Sequence, residues 1–345
     1  MCHFIQMGKE APNSFAIFRL PHAQKPLMVI GNISEKIIDY ALLEENAIVI
    51  SPFNCGQKAF SIPFNKLEEI DEKKIPSFHF SQNKYTALGE EHYIETVEKG
   101  IEKLHANKLS KVVLANTKTI KNSRFEPMLY FKKLEEKYPT AFIYFISSPQ
   151  TGTWFGASPE PLVRTENNQL QTVAMAGTLA QTPQAIWSNK EREEQAMVCQ
   201  YLEDKLSAAA LPFKKNGPFN YAAGALTHLR TEYFCEGIPS NNSMAKFIEE
   251  INPTPAVAGI PKEEAIQFIE KEEGFKRNLY AGFIGIKQYN EAQLFVNIRC
   301  MEWQRETLTL FAGAGITKDS NPQREWEETQ NKMITMEALI NLHND

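Results

Sequence analysis

Residues 308–340 run, with no linker between them, through an apolar segment, a glycine-rich segment and a helix, and this order restricts the fold more than any other feature of the chain. Residues 308–311 read as a strand. Ala312-Gly313-Ala314-Gly315 reads as a turn, where missing side chains let backbone N–H groups approach a ligand oxygen. Ser320 has the residue type of an N-cap, with Gln323 at the capping-box position and Pro322 in the first turn, where a missing N–H costs no hydrogen bond. On the helix that follows, Glu325, Glu328 and Lys332 are spaced i, i+3, i+7 and share a face at the edge of the apolar stripe Trp326, Thr329, Met333, Met336, Ile340. Two carboxylates so placed invite a cation. They also suit a solvated face with a Glu328–Lys332 ion pair worth a few tenths of a kcal/mol. No GxxxxGK follows the strand, so the segment is not a P-loop, and the third glycine of a dinucleotide fingerprint is missing.

The 345 residues suffice for a sizeable core in one large domain or two ordinary ones. A net charge of −5, from 37 basic and 42 acidic side chains, argues against a general nucleic-acid or anionic-membrane partner, which calls for a basic surface. The five cysteines, Cys2, Cys55, Cys199, Cys235 and Cys300, are scattered and form no CxxC pair, so neither a disulfide framework nor a zinc site is expected. Residues 1–9 have no apolar core of signal-peptide length, and no run reaches about 18 apolar residues. The expectation is a cytoplasmic protein with no membrane span.

Up to residue 85 the chain shows short strand-like pieces at 15–20, 27–30, 47–51 and 59–62, and His3, His22 and His79 have no partner at metal-ligand spacing. Tyr93, Val97, Ile101 and Leu104 recur at helical period, predicting a helix over 91–107. The β-branched run 110–115 follows, in which Lys111 shares a face with Val113 and Ala115. A lysine there is either an edge-strand gatekeeper or an amine pointed into a cavity. Beyond a strand at 141–147, the small residues and proline before Glu160 place it at a bend, as a candidate acid or base or as an exposed turn carboxylate. Residues 174–178 read as a second small-residue turn around Gly177 and Thr178. A helix over 187–206 puts Glu194 on its apolar face, where an unpaired charge is expensive and a ligand role is favoured. His228 either orients a substrate hydroxyl or satisfies a core hydrogen bond. A helix over 243–250 ends at the rigid Asn252-Pro253-Thr254-Pro255 loop, and Arg299 ends an apolar strand at 294–299. Without repeats or a structureless linker, residues 1–345 read as one intertwined domain.

Taken together the pieces KVVLA (111–115), GASPE (156–160), AGT (176–178), SNKEREEQ (188–195), HLRT (228–231), NPTPAVAG (252–259), RNLYAG (277–282), NIR (297–299) and AGAGITKDSNPQREWEET (312–329) resemble the chorismate-utilising enzyme family, and within it the isochorismate synthases. The resemblance covers roughly residues 85–340, in the family's order, and only weakly the part before it. It implies an α/β (α+β) fold, one large domain of two extensive, mostly antiparallel sheets with helices packed outside. It further implies a buried site that binds chorismate through Mg²⁺. Lys111 matches the water-activating lysine and Glu160 the facing acid. Glu194, Glu325 and Glu328 match the metal positions; Tyr280, Arg299 and Lys332, with the backbone at Gly177 and Gly313, match substrate contacts, to which Thr178 and His228 are added. The chain departs from the usual pattern at Asn116, Gln195, Asn252, Lys276 and Asn278, none of which is a proposed acid, base or metal position.

The implied chemistry is addition of water at carbon 2 of chorismate as the carbon 4 hydroxyl departs, yielding isochorismate for menaquinone or siderophore synthesis. Glu160 must then be protonated and Lys111 neutral, and burial pushes both that way. Ala176 stands where aminodeoxychorismate-forming relatives carry a nucleophilic lysine, and Lys111 is present where anthranilate-forming ones lack it, so water is favoured over ammonia. A monomer without a glutamine amidotransferase partner follows. Salicylate synthase, an anthranilate synthase component and a chorismate-binding regulatory subunit are the alternatives.

Overall fold

The computed structural model describes residues 12–37, 46–54, 58–83, 85, 89–180, 186–224, 226–237 and 239–340. His3, Cys2 and Cys55 lie outside them. Cys199, Cys235 and Cys300 are buried free thiols. Among the described residues no helix is long and apolar enough to cross a membrane.

Two large sheets carry the fold. Among the described residues the eight strands of the first are, edge to edge, Gly259–Ile260, Lys111–Lys121, Thr307–Ile316, Cys300–Trp303, Gly152–Ser158, Phe142–Ser148, Ser14–Arg19 and Leu27–Gly31. The nine of the second are Phe213–Ala223, Leu226–Glu236, Gln169–Ala180, Pro161–Glu166, Glu291–Val296, Phe283–Gln288, Asn46–Ser51, Lys58–Pro63 and Ser34–Ile37. The paired strands are antiparallel, and the chain before residue 85 feeds strands into both sheets. The helices are α1 (Glu90–His105), α2 (Pro127–Lys137), α3 (Asn189–Ala208), α4 (Asn241–Ile251), α5 (Lys262–Glu272) and α6 (Pro322–Glu337).

Period-2 alternation sorts the first sheet's side chains between two cores. Phe142, Tyr144 and Ile146 join Leu162, Phe283 and Phe295 of the second sheet, whereas Ile143 and Phe145 join Phe131 and Leu134 of α2 and Met333 and Met336 of α6. The first core lies between the sheets. The second lies under helices on the first sheet's outer face.

Four expectations need correction. Residues 312–315 are not a turn but continue the strand Thr307–Ile316, paired with Lys111–Lys121 from Thr307↔Lys121 to Ile316↔Val112. Their small side chains serve close approach: a Cβ on Gly313 would lie 2.8 Å from the Tyr280 hydroxyl, and one on Gly315 would lie 2.2 Å from Glu194 Oε1. Residues 174–178 are likewise strand, with a bulge between Ala176 and Thr178 where Gly177 takes φ 69°. The N-cap of α6 is Asn321, whose side chain accepts from Arg324 N, while Ser320 Oγ accepts from Thr317 N. Arg299 lies beyond the strand Glu291–Val296, with φ 52°, in the left-handed region that a long side chain rarely adopts.

Candidate active site

Two segments that pass from one sheet to the other lie side by side and frame a cavity. The first leaves the first sheet at Ser158 and enters the second at Pro161; the other leaves the second at Val296 and enters the first at Cys300. Ala157 N donates to Arg299 O (2.9 Å), Ser158 Oγ to Val296 O (2.6 Å) and Val296 N to Glu160 O (3.0 Å). The segment before Phe283 is tied to the same place, with Ala281 N donating to Asn297 O (2.8 Å) and Asn297 N to Gly282 O (2.7 Å). Tyr144 Oη donates to Asn297 Oδ1 (2.5 Å). Glu160, Tyr280 and Arg299 are thus fixed by backbone bonding between neighbouring segments.

These three residues line the cavity together with Gly177, Thr178 and His228 from the second sheet. Gly313 of the first sheet, Glu194 of α3, and Glu328 and Lys332 of α6 complete the set of candidates in its wall, and Ala176 also faces it. Lys111 and Glu325 are not in the wall. Lys111 is 0% exposed and is ion-paired with Glu194 at 2.9 Å. Its strand lies inside the edge strand Gly259–Ile260, so the exposed gatekeeper reading is excluded. Glu325, 2% exposed, is ion-paired with Lys190 of α3, and Glu328 with Lys332 at 2.5 Å; Lys332 also donates to Gly313 O at 2.8 Å.

Electrostatics separate the carboxyls. Burial pushes Glu160 up to about 7, against the pull of Lys111, Arg230, Lys332 and Arg299. Burial also raises Glu194, but Lys111 above all, with Lys190 and Lys332, outweighs it and leaves that carboxyl below its ordinary value. Glu325 is raised by burial, with Lys190 opposing and Glu328 adding to the rise. His228 is lowered to about 3, first by burial and then by Arg299 and Lys332, so it is neutral at physiological pH. Its Nδ1 lies 3.0 Å from Gly177 O, which can only accept, so the proton sits on Nδ1 and Nε2 is a bare acceptor. That Nε2 is buried and has no hydrogen-bond partner among the described residues.

Glu194, Glu325 and Glu328 offer hard oxygen donors suited to Mg²⁺, and all three act on the Lys190 ammonium. The absent side chain at Gly315 is what lets the Glu194 carboxylate sit where it does, since a Cβ there would collide with Oε1. Among the described residues no three acidic, histidine or cysteine side chains are placed to hold a metal ion as they stand. Each of these carboxylates is instead engaged by a lysine.

Sequence reasoning missed several supporting groups. Lys190 lies four residues before Glu194 on α3, a helical spacing that could have signalled it. Glu273 and Arg277, both buried, form an ion pair at i, i+4 spacing. Arg277 donates to Val113 O and Val257 O (both 2.7 Å), while Glu273 accepts from Ala115 N (2.7 Å), so the pair pins the Lys111 strand. Gln195, one of the departures, takes Ala176 N (2.8 Å) and gives to Ala174 O (3.0 Å) and Thr231 Oγ1 (3.1 Å), clamping the strand at its bulge.

A profile of the chorismate binding enzyme family matches residues 54–341. Isochorismate synthase EntC of Escherichia coli K12 is 27% identical over 248 residues, which cover 68% of this chain and 63% of EntC, so the match spans less than two thirds of that relative. The crystal structure of DhbC from Bacillus anthracis superposes with a TM-score of 0.82 at 26% identity, covering 95% of this chain and 96% of DhbC. That of MenF, the menaquinone-specific isochorismate synthase of Escherichia coli, shares the fold with a TM-score of 0.78 at 19% identity, over 96% of this chain and 90% of MenF. With the family profile spanning most of its length, the chain belongs to the chorismate binding enzyme family.

Proposed function

We propose that the protein is an isochorismate synthase, converting chorismate reversibly to isochorismate, and that residues 1–345 work as one cytoplasmic domain, a monomer without an amidotransferase partner. The observation that carries this reading is Glu160, a carboxyl poised near neutrality in the wall of a cavity that Lys111 borders through Glu194. Protonated Glu160 gives its proton to the departing carbon 4 hydroxyl, which is otherwise a poor leaving group. Lys111, in its neutral form, accepts the proton of the water that adds at carbon 2. Arg299, Lys332 and Tyr280 bring positive charge and donors to the substrate carboxylates, and His228 Nε2 accepts from a substrate hydroxyl. Mg²⁺, held by Glu194, Glu325 and Glu328, would neutralise the ring carboxylate when bound. Ala176 in the cavity wall supplies no amine nucleophile, which favours water.

The test is to incubate purified protein with chorismate and Mg²⁺, without ammonia, and to separate the products by chromatography. Isochorismate is expected, approached from either side of the equilibrium. Salicylate with equimolar pyruvate would make it a salicylate synthase; anthranilate formed on adding ammonium, an anthranilate synthase component; binding without turnover, a regulatory subunit.

A further inference from the structure

We propose that Lys190 is a displaceable counter-cation of the metal site: its ammonium neutralises the carboxylates in the free enzyme, must leave Glu325 before Mg²⁺ can bind, and so weakens metal binding to the free enzyme. The inference rests on the reading of Glu194, Glu325 and Glu328 as metal ligands.

Three observations support it. The three carboxylates are matched one to one by lysines: Lys111 on Glu194, Lys332 on Glu328 and Lys190 on Glu325. In that arrangement no three acidic side chains among the described residues can share an ion. One lysine has to yield. Lys111 is fully buried, and Lys332 has a second anchor in Gly313 O, 2.8 Å away. Lys190, by contrast, is 22% exposed and reaches Glu325 from the first turn of α3. Positive charge is disfavoured at a helix N-terminus, so the position gains nothing from its own helix; its attraction is to Glu325, with Glu194 and Glu328 adding to it. Its long stem lets the ammonium swing into water, where a charge is well solvated.

The experiment measures Mg²⁺ binding to the free protein by isothermal titration calorimetry, without chorismate. Lys190→Gln removes the charge and keeps the length, and circular dichroism checks that it folds. Tighter Mg²⁺ binding than wild type, on the order of tenfold or more, is expected, since the ion no longer displaces a charged competitor. Unchanged or weaker binding by folded Lys190→Gln overturns the proposal. Glu325→Gln separates the two levels. If it loses Mg²⁺ while Lys190→Gln gains nothing, the counter-cation role fails and the metal reading stands. If Glu325→Gln binds Mg²⁺ like wild type, the metal reading itself fails.

Discussion

Gly315→Ala tests how closely the site is built around one missing side chain. A Cβ there would lie 2.2 Å from Glu194 Oε1 and 3.3 Å from Lys111 Cε. The carboxylate is the end of a side chain and can retreat, whereas the strand is held by its pairing with Lys111–Lys121. Reaching ordinary contact requires Glu194 to move by about 1.2 Å, and a misplacement near 1 Å costs about 10²-fold in rate. The same crowding destabilises the fold by only about 1–3 kcal/mol, the usual range for overpacking. The assay is steady-state conversion of chorismate with Mg²⁺, alongside urea unfolding. Turnover should fall about 10²-fold while the protein stays folded. Turnover within threefold of wild type would show that the Lys111–Glu194 geometry is irrelevant to the reaction, and the argument from close approach would fail.

Glu160→Gln should abolish turnover and alter stability in a pH-dependent way. Because burial raises Glu160 from 4.5 to about 7, its contribution to stability is full below the unfolded value and is lost as pH rises through 7; above that, the variant should be more stable than wild type by about 3 kcal/mol. Urea titrations at pH 5 and pH 9 measure this, and equal differences at both would refute it. For wild type, kcat/KM should decline above about pH 7 as Glu160 loses its proton. Lys111→Ala should cut turnover by ~10²–10⁴, with a stability loss of about 3–5 kcal/mol because Glu194 loses its buried partner; near-wild-type turnover at saturating chorismate would remove the base assignment. Gln195→Leu should lower the urea midpoint by orphaning Ala176 N and Ala174 O, at about 1–3 kcal/mol for each buried group left unpaired. An unchanged midpoint would show that the clamp on the bulge is dispensable.

What could be read in the sequence followed from local pattern. The strands around Phe15, Leu27, Ala47 and Ala59 were legible only as short apolar runs, and the helix of Tyr93 and Val97 because its apolar residues recur at helical period. Gly313 and Gly315 were misread as a turn because glycine has two uses, positive φ and close approach, and only the position of Tyr280 and Glu194 across the cavity distinguishes them. Arg299 reads as the end of a strand because the stretch Leu294–Ile298 before it is apolar except for Asn297, yet the chain there passes between sheets. Sheet exchange is set by pairing between distant segments. Lys190 was missed for the same reason, since its partner Glu325 lies 135 residues away. Glu160 and Glu194 were legible in type, but the difference in their electrostatics comes from the lysine set that the fold gathers around each.

Running the reaction in H₂¹⁸O and weighing the product by mass spectrometry tests the central claim, that water adds to the ring while the original hydroxyl leaves. Isochorismate should be one oxygen label heavier than the chorismate supplied, with the label at carbon 2, and label should appear in chorismate as the reaction reverses. Unlabelled isochorismate would mean that the hydroxyl is passed within the molecule, and would contradict the roles assigned to Lys111 and Glu160.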